Sequence, residues 1–235
     1  MKRLDAYAYA YASRSISFIP RLPHMNIHTK SSQKNMGAGS SQTADTIKDE
    51  ALWAAASYGD VESVAHYMAK AADVNHRNKE EGNTTPLMLA SQEGHTDIVA
   101  LLLSSPYCDV HIRDEWGFTA CHHAARWGHD ICVRQLLAAA ADITATCSNG
   151  SLPAHCAAEC GHAACLAVLL AAGCDAEART KEGHTVCALS SDQATRDVLE
   201  ASIARRAAEP EGQSPGHDGK KAPTERAPLL EDALI

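Results

Sequence analysis

His155, Cys156, Cys160, His162, Cys165 and Cys174 stand within one short stretch of a 235-residue chain, and all six are of zinc-ligand type. Cys156 and Cys160 are four apart, a spacing that puts two side chains on one helical face, so both could touch a single ion. The chain has thirteen histidines and nine cysteines in all, enough to raise the question of an imidazole deprotonating a thiol as well. Whether either chemistry is possible depends on what positions these side chains.

The positioning element is a repeat. Gly117, His122, Ala124, Ala125, Gly128, His129, Leu136, Leu137 and Asp142 return as Gly150, His155, Ala157, Ala158, Gly161, His162, Leu169, Leu170 and Asp175, each pair 33 residues apart. A fixed period of this size marks a stack of small helical units. The nearest stacked partners of the Cys156 region are then His123 and Trp127, one helix diameter away, about 8–10 Å between axes. Zinc needs ligands at about 2.0–2.3 Å, so no metal site is expected. No Gly-rich phosphate loop or protease, kinase or hydrolase signature is present, and the chain is expected to be non-enzymatic and without a cofactor.

Within each unit the pattern predicts two short helices. Thr85 can cap the first through its hydroxyl with Pro86 at the first helical position, and Gly94 ends it after about two turns. In the second helix Val99, Leu102 and Leu103, then Val133, Leu136 and Leu137, then Leu166, Leu169 and Leu170 form an i, i+3, i+4 stripe. Glycines at 59, 94, 128 and 161 step by 35, 34 and 33, so the early units carry small insertions, one of them at Pro106. Residues 110–117 end in a Gly turn and can project as a hairpin-like finger. Helices this short need their neighbours, so a single unit would not fold. Asp45, Asp49 and Glu50 are placed to favour the start of the helix containing Leu52.

Thr85-Pro86-Leu87, Gly117-Phe118-Thr119-Ala120-Cys121-His122-His123-Ala124-Ala125 and Gly161-His162 closely resemble ankyrin repeats. The resemblance covers about residues 51–207, with units at about 51–80, 81–114, 115–147, 148–180 and 181–207. It implies an all-α solenoid of helix-turn-helix units with finger loops, flanked by disordered segments at 1–50 and 208–235, and makes His155 and His162 structural. Met88, Ala120 and Leu152 depart from the usual His, Pro and Thr, which predicts weaker local caps. The fifth unit has Ala194 where Gly is usual, and its second helix sets Ser202 between Leu199 and Ile203, as suits a terminal cap. Proteins of this kind generally bind other proteins through the concave face of the first helices and the fingers. Register then assigns Tyr58, Gln92, Glu93, His123, Arg126, Trp127, Cys156, Glu159 and Cys160 to the face, and Arg77, Arg113, Trp116 and Arg179 to the fingers. Trp116 is expected to be exposed.

Composition narrows the class further. Hydrophobic residues make up 45% of the chain and aromatic residues 5%, so Ala and Leu must fill most of the core. Six Lys or Arg against one Asp up to Lys34 give that segment +5 and leave −13 of the total −8 on the rest. An acidic folded part argues against nucleic acid as the ligand. The odd count of nine cysteines follows the repeat and predicts reduced thiols in a cytoplasmic or other reducing compartment. No run reaches the roughly 20 apolar residues that span a bilayer. The chain is expected to be monomeric.

The flanks carry targeting patterns. Residues 1–36 are Ser-rich and basic, with Lys2, Arg3, Arg14 and Arg21, and fit a mitochondrial transit peptide or a plain leader. Alternatively translation starts at Met36, whose Met-Gly-Ala-Gly-Ser-Ser matches a myristoylation pattern with Gly37 as acceptor. Glu225 with Leu229 and Leu230 resembles an acidic dileucine sorting signal. These patterns support a rival function, a structural subunit whose stack spaces targeting tails.

Overall fold

The structure is a computed structural model and describes residues 40–208, with side chains from 45 to 205. Ten helices are present among the described residues: α1 Ser40–Tyr58, α2 Val61–Ala69, α3 Pro86–Glu93, α4 Thr96–Leu103, α5 Ala120–Trp127, α6 Asp130–Ala138, α7 Pro153–Glu159, α8 Ala163–Ala171, α9 Val186–Leu189 and α10 Gln193–Ala208. The odd-numbered helices pack in chain order as an inner layer and the even-numbered helices as an outer one. Val99, Leu102, Val133, Leu136, Leu166 and Leu169 are buried between the layers, beside small residues such as Ala90, Ala124, Ala125, Ala157 and Ala158. Small residues let the short helices approach closely, and the leucines fill the space behind them.

Two bonds recur between units. At the helix-turn end, the His95 ring lies over Gly59 with Nε2 3.1 Å from the Ser57 carbonyl, and His129 lies over Gly94 with Nε2 2.9 Å from the Gln92 carbonyl. The His162 ring covers Gly128 in the same way. At the finger end, Glu115 N–H donates to the Gly82 carbonyl, Ser148 N–H to Trp116 and Lys181 N–H to Asn149, each at 2.9 Å. Both ladders use backbone carbonyls that inner helices and hairpins leave unpaired at their ends.

The helix starts refine the expectation about caps. The Thr85 hydroxyl accepts from Met88 N–H at 3.3 Å. In the next two units the third helical residue takes over: His122 Nδ1 accepts from Thr119 N–H at 3.2 Å and His155 Nδ1 from Leu152 N–H at 3.1 Å. Each departure thus retains one bond at its helix start. The chain also becomes helical sooner than expected, because α1 begins at Ser40, inside the segment expected to be disordered. No Pro or Gly interrupts residues 40–58. Asp45, Asp49 and Glu50 lie within this helix and not at its start; Asp49 accepts from Asp73 N–H at 2.7 Å and Lys48 Nζ donates to the Lys70 carbonyl at 3.4 Å. In α10, Leu199 is buried and Ile203 exposed, so the last helix presents one side to solvent.

Candidate partner-binding face

The inner helices α3, α5 and α7 are about two turns long and α1 ends in register with them, so the residue before the glycine that follows each projects from the same end of the first four units. Tyr58 and Trp127 occupy that position in the first and third units and are 64% and 40% exposed. Glu93 and Cys160 occupy it in the second and fourth, and both are exposed. One residue earlier, Arg126 is half-buried with its guanidinium carbon 6.0 Å from the Phe118 ring centroid, within range of a cation–π contact. Glu159, the same position one unit later, is exposed.

Three of the other expected contact residues, His123, Gln92 and Trp116, are buried or half-buried. His123 is only 7% exposed, and its Nε2 lies 3.0 Å from Asp114 Oδ2. The other carboxylate oxygen of Asp114 accepts from Trp116 N–H at 2.9 Å and Phe118 N–H at 2.8 Å, so this pair closes the finger onto the helix. Gln92 is 5% exposed, with Nε2 donating to Glu93 Oε1 at 3.0 Å. Trp116 was expected to be exposed and is half-buried: a Cβ on Gly82 would stand 2.5 Å from its ring, so the indole fills the space that glycine leaves on the preceding finger. Arg77 donates to the Arg113 carbonyl at 2.8 Å, Arg113 donates to the Thr146 carbonyl, and Arg179 donates to the Gly183 carbonyl at 3.0 Å. Arg77 and Arg113 therefore tie neighbouring fingers together, Arg179 closes its own hairpin, and all three remain exposed. Register identifies the face a side chain belongs to but not the depth at which it sits.

Four exposed large hydrophobic residues, Ile47, Val61, Tyr107 and Ile131, were not singled out from the sequence. Val61 and Ile131 open the outer helices α2 and α6 and lie outside the i, i+3, i+4 stripe, which was their only signal. Both sit at the helix-turn end, as Tyr58 and Trp127 do.

The chemistry of the Cys and His residues follows from their burial. Desolvation pushes the Cys121 and Cys165 thiols up to about 12 and the Cys108 and Cys132 thiols up to about 11. Cys156 is raised well above the ordinary value for the same reason, and Cys160 is raised too. Such thiols stay protonated at neutral pH and are poor nucleophiles. Burial lowers His122 to about 4 and lowers His155 as well. Both act as neutral rings: His122 Nε2–H donates to the Ser151 carbonyl at 3.1 Å and His155 Nε2–H to Ala178 at 3.0 Å, a tautomer fixed by Nδ1 accepting at the helix start. Among the described residues no three His, Cys, Asp or Glu are grouped so as to hold a metal ion, and no helix is long and apolar enough to cross a membrane. Gly37 and the Glu225, Leu229, Leu230 motif lie outside the described residues.

Comparison with known proteins agrees with this geometry. The family model for ankyrin repeats (3 copies) matches residues 34–114, 52–147 and 107–180. A rice (Oryza sativa subsp. japonica) zinc finger CCCH domain-containing protein 24 is 44% identical over 82 residues, 33% of this chain and 11% of the relative. The probable E3 ubiquitin-protein ligase XBOS33 of the same plant is 43% identical over 63 residues, 27% of this chain and 12% of the relative. The matched stretches thus span only about a tenth of each relative's length. With its recurring glycine, histidine and leucine positions stacked in two helical layers, the chain belongs to the ankyrin-repeat proteins.

Proposed function

We propose that this protein is a non-enzymatic adaptor or scaffold that holds a protein partner against its inner helix face. The observation that carries the reading is the exposure of Trp127 and Tyr58 at equivalent helix ends, in a chain where aromatic residues are only 5% of the total. A large aromatic side chain left in water gains by being covered, and Trp and Tyr are the types that most often anchor interfaces. Glu93, Arg126 and Glu159 surround these anchors with charge that would set the partner's register. His123, Gln92, Trp116, Arg77 and Arg113 support the surface from behind or tie the fingers. The protein acts as a monomer in a reducing, cytoplasmic compartment, and its ligand is a protein and not nucleic acid.

The test is a double variant, Tyr58→Ala with Trp127→Ala, in the full chain. Both residues are more than a third exposed, so the helical circular dichroism should be unchanged while proteins captured from native-cell extract are lost. Capture that survives the double change sinks the inner-face assignment. The rival reading makes the stack a spacer for the segments carrying Gly37, which would be acylated only if translation starts at Met36, and the Glu225, Leu229, Leu230 motif. Removing residues 208–235 should leave capture intact on our reading and abolish it on the rival one.

A further inference from the structure

Five of the arginines in the described residues are occupied. Arg77, Arg113, Arg179 and Arg196 each donate to a backbone carbonyl, and Arg134 pairs with Asp130 at 3.6 Å. Arg205, in the last helix, is exposed. Arg126 is different: it is half-buried on the inner face, rests against the Phe118 ring, and makes no hydrogen bond or ion pair with any described residue. No Arg126 nitrogen is among the buried polar atoms left without a partner, so water completes its hydrogen bonds and an oxyanion brought by a partner would take the water's place.

The support beneath Arg126 is built. Phe118 is fixed through its N–H to Asp114 Oδ1 at 2.8 Å, and its ring meets the His122 and His123 rings edge-on at 5.5 and 5.8 Å. A guanidinium on a fixed aromatic face loses little further freedom on binding, and its planar fork matches an oxyanion with two parallel bonds. Glu159, one unit along, stays outside ion-pair range. The adjacent Cys156 thiol is buried and raised well above its ordinary value, and the exposed Cys160 thiol is raised too, so both stay neutral and supply no counter-charge.

We infer that Arg126 receives an anionic oxygen group, a carboxylate or a phosphate, carried on an extended segment of the partner beside an apolar side chain that covers Trp127. This rests on the reading that the inner face is the contact surface. It adds to that reading the chemistry of the partner: charge complementary to a lone cation, next to an apolar group complementary to an indole.

A displayed library of random 12-residue peptides, selected on the full chain and on Arg126→Glu, tests it. The unaltered chain should enrich peptides with Asp or Glu at one fixed position next to an apolar residue, and Arg126→Glu should enrich Lys or Arg there instead. A selected peptide should bind Arg126→Gln about tenfold or more weakly than the unaltered chain, and changing its acid to the amide should give the same loss. Phosphoserine at that position binding more tightly than the acid names phosphate as the source, and weaker binding names a carboxylate; either supports the site. Enriched peptides without an acidic preference, or identical sets from the two proteins, overturn the inference but leave the inner-face reading standing if Trp127→Ala loses them. Absence of any enriched peptide on the folded chain overturns both.

Discussion

Acidification should weaken the stack through His122, and the size of the effect follows from its surroundings. The ring is completely buried, accepts at Nδ1 and donates at Nε2, so a second proton has no place to bond and no water to solvate it. Burial lowers its pKa to about 4 from 6.5. The unfolded chain therefore takes up the proton first: stability is fully present above pH 6.5 and is lost as pH falls from 6.5 towards 4. By linkage the loss from this one ring is about 2 kcal/mol at pH 5 and about 3 kcal/mol below pH 4. His155 acts in the same direction. The chain contains its own control, because Met88 fills the equivalent position in the second unit and is as well buried. His122→Met should cost roughly 1–3 kcal/mol at pH 7, since the Ser151 carbonyl and Thr119 N–H lose their partner. It should also be less sensitive to acid by about 2 kcal/mol, so the gap from the unaltered chain closes near pH 5. Urea melts at pH 7, 6 and 5 on both proteins measure this. Parallel losses in the two would refute the neutral-ring argument.

Other outcomes follow from packing and exposure. Leu136 is fully buried between the layers, and Leu136→Ala should cost about 2–5 kcal/mol in denaturant melts; a change of a few tenths would remove it from the core. Gly94 and Gly173 both have positive φ, at 77° and 96°, but a Cβ on Gly94 would stand 2.5 Å from the His129 ring while one on Gly173 meets nothing within 4 Å. Gly173→Ala should therefore cost only the roughly 1 kcal/mol of backbone strain, and Gly94→Ala clearly more, because it also displaces His129 from the Gln92 carbonyl; equal losses would show that the histidine ladder does not hold the units together. Of the nine cysteines, Cys160 and Cys187 are the exposed ones, so a maleimide should label these two in the folded chain well before the others, as read by peptide mass. Rapid labelling of Cys121, Cys132 or Cys165 would show that the stack opens at their position.

The repeat made most of the fold legible, because Gly, His and Leu at a fixed spacing specify two helices, a turn and a buried stripe. The 33-residue register correctly paired His122 with His155 as framework positions. Depth was not legible for the contact set, since burial of His123 depends on Asp114 folding over it and burial of Trp116 depends on Gly82, a residue in the preceding finger. The start of α1 at Ser40 was missed for another reason: polar residues with no Pro or Gly are compatible with helix, and their contact with the turn after α2 through Asp49 is a tertiary one. Arg126 and Trp127 were visible as variable positions, whereas the lack of a protein acceptor for Arg126 became apparent only from the placement of its neighbours among the described residues.

Contact between the inner face and a protein partner can be read out by site-specific photo-crosslinking of the full chain in its native cell. A benzophenone side chain at Glu93 or Cys160, which flank Trp127 on the inner face, is compared with one at Arg134, exposed on the outer helix α6. Positions 93 and 160 should yield one shared crosslinked protein and position 134 none. A crosslink from 134 alone, or equal crosslinks from all three positions, would contradict the inner-face contact.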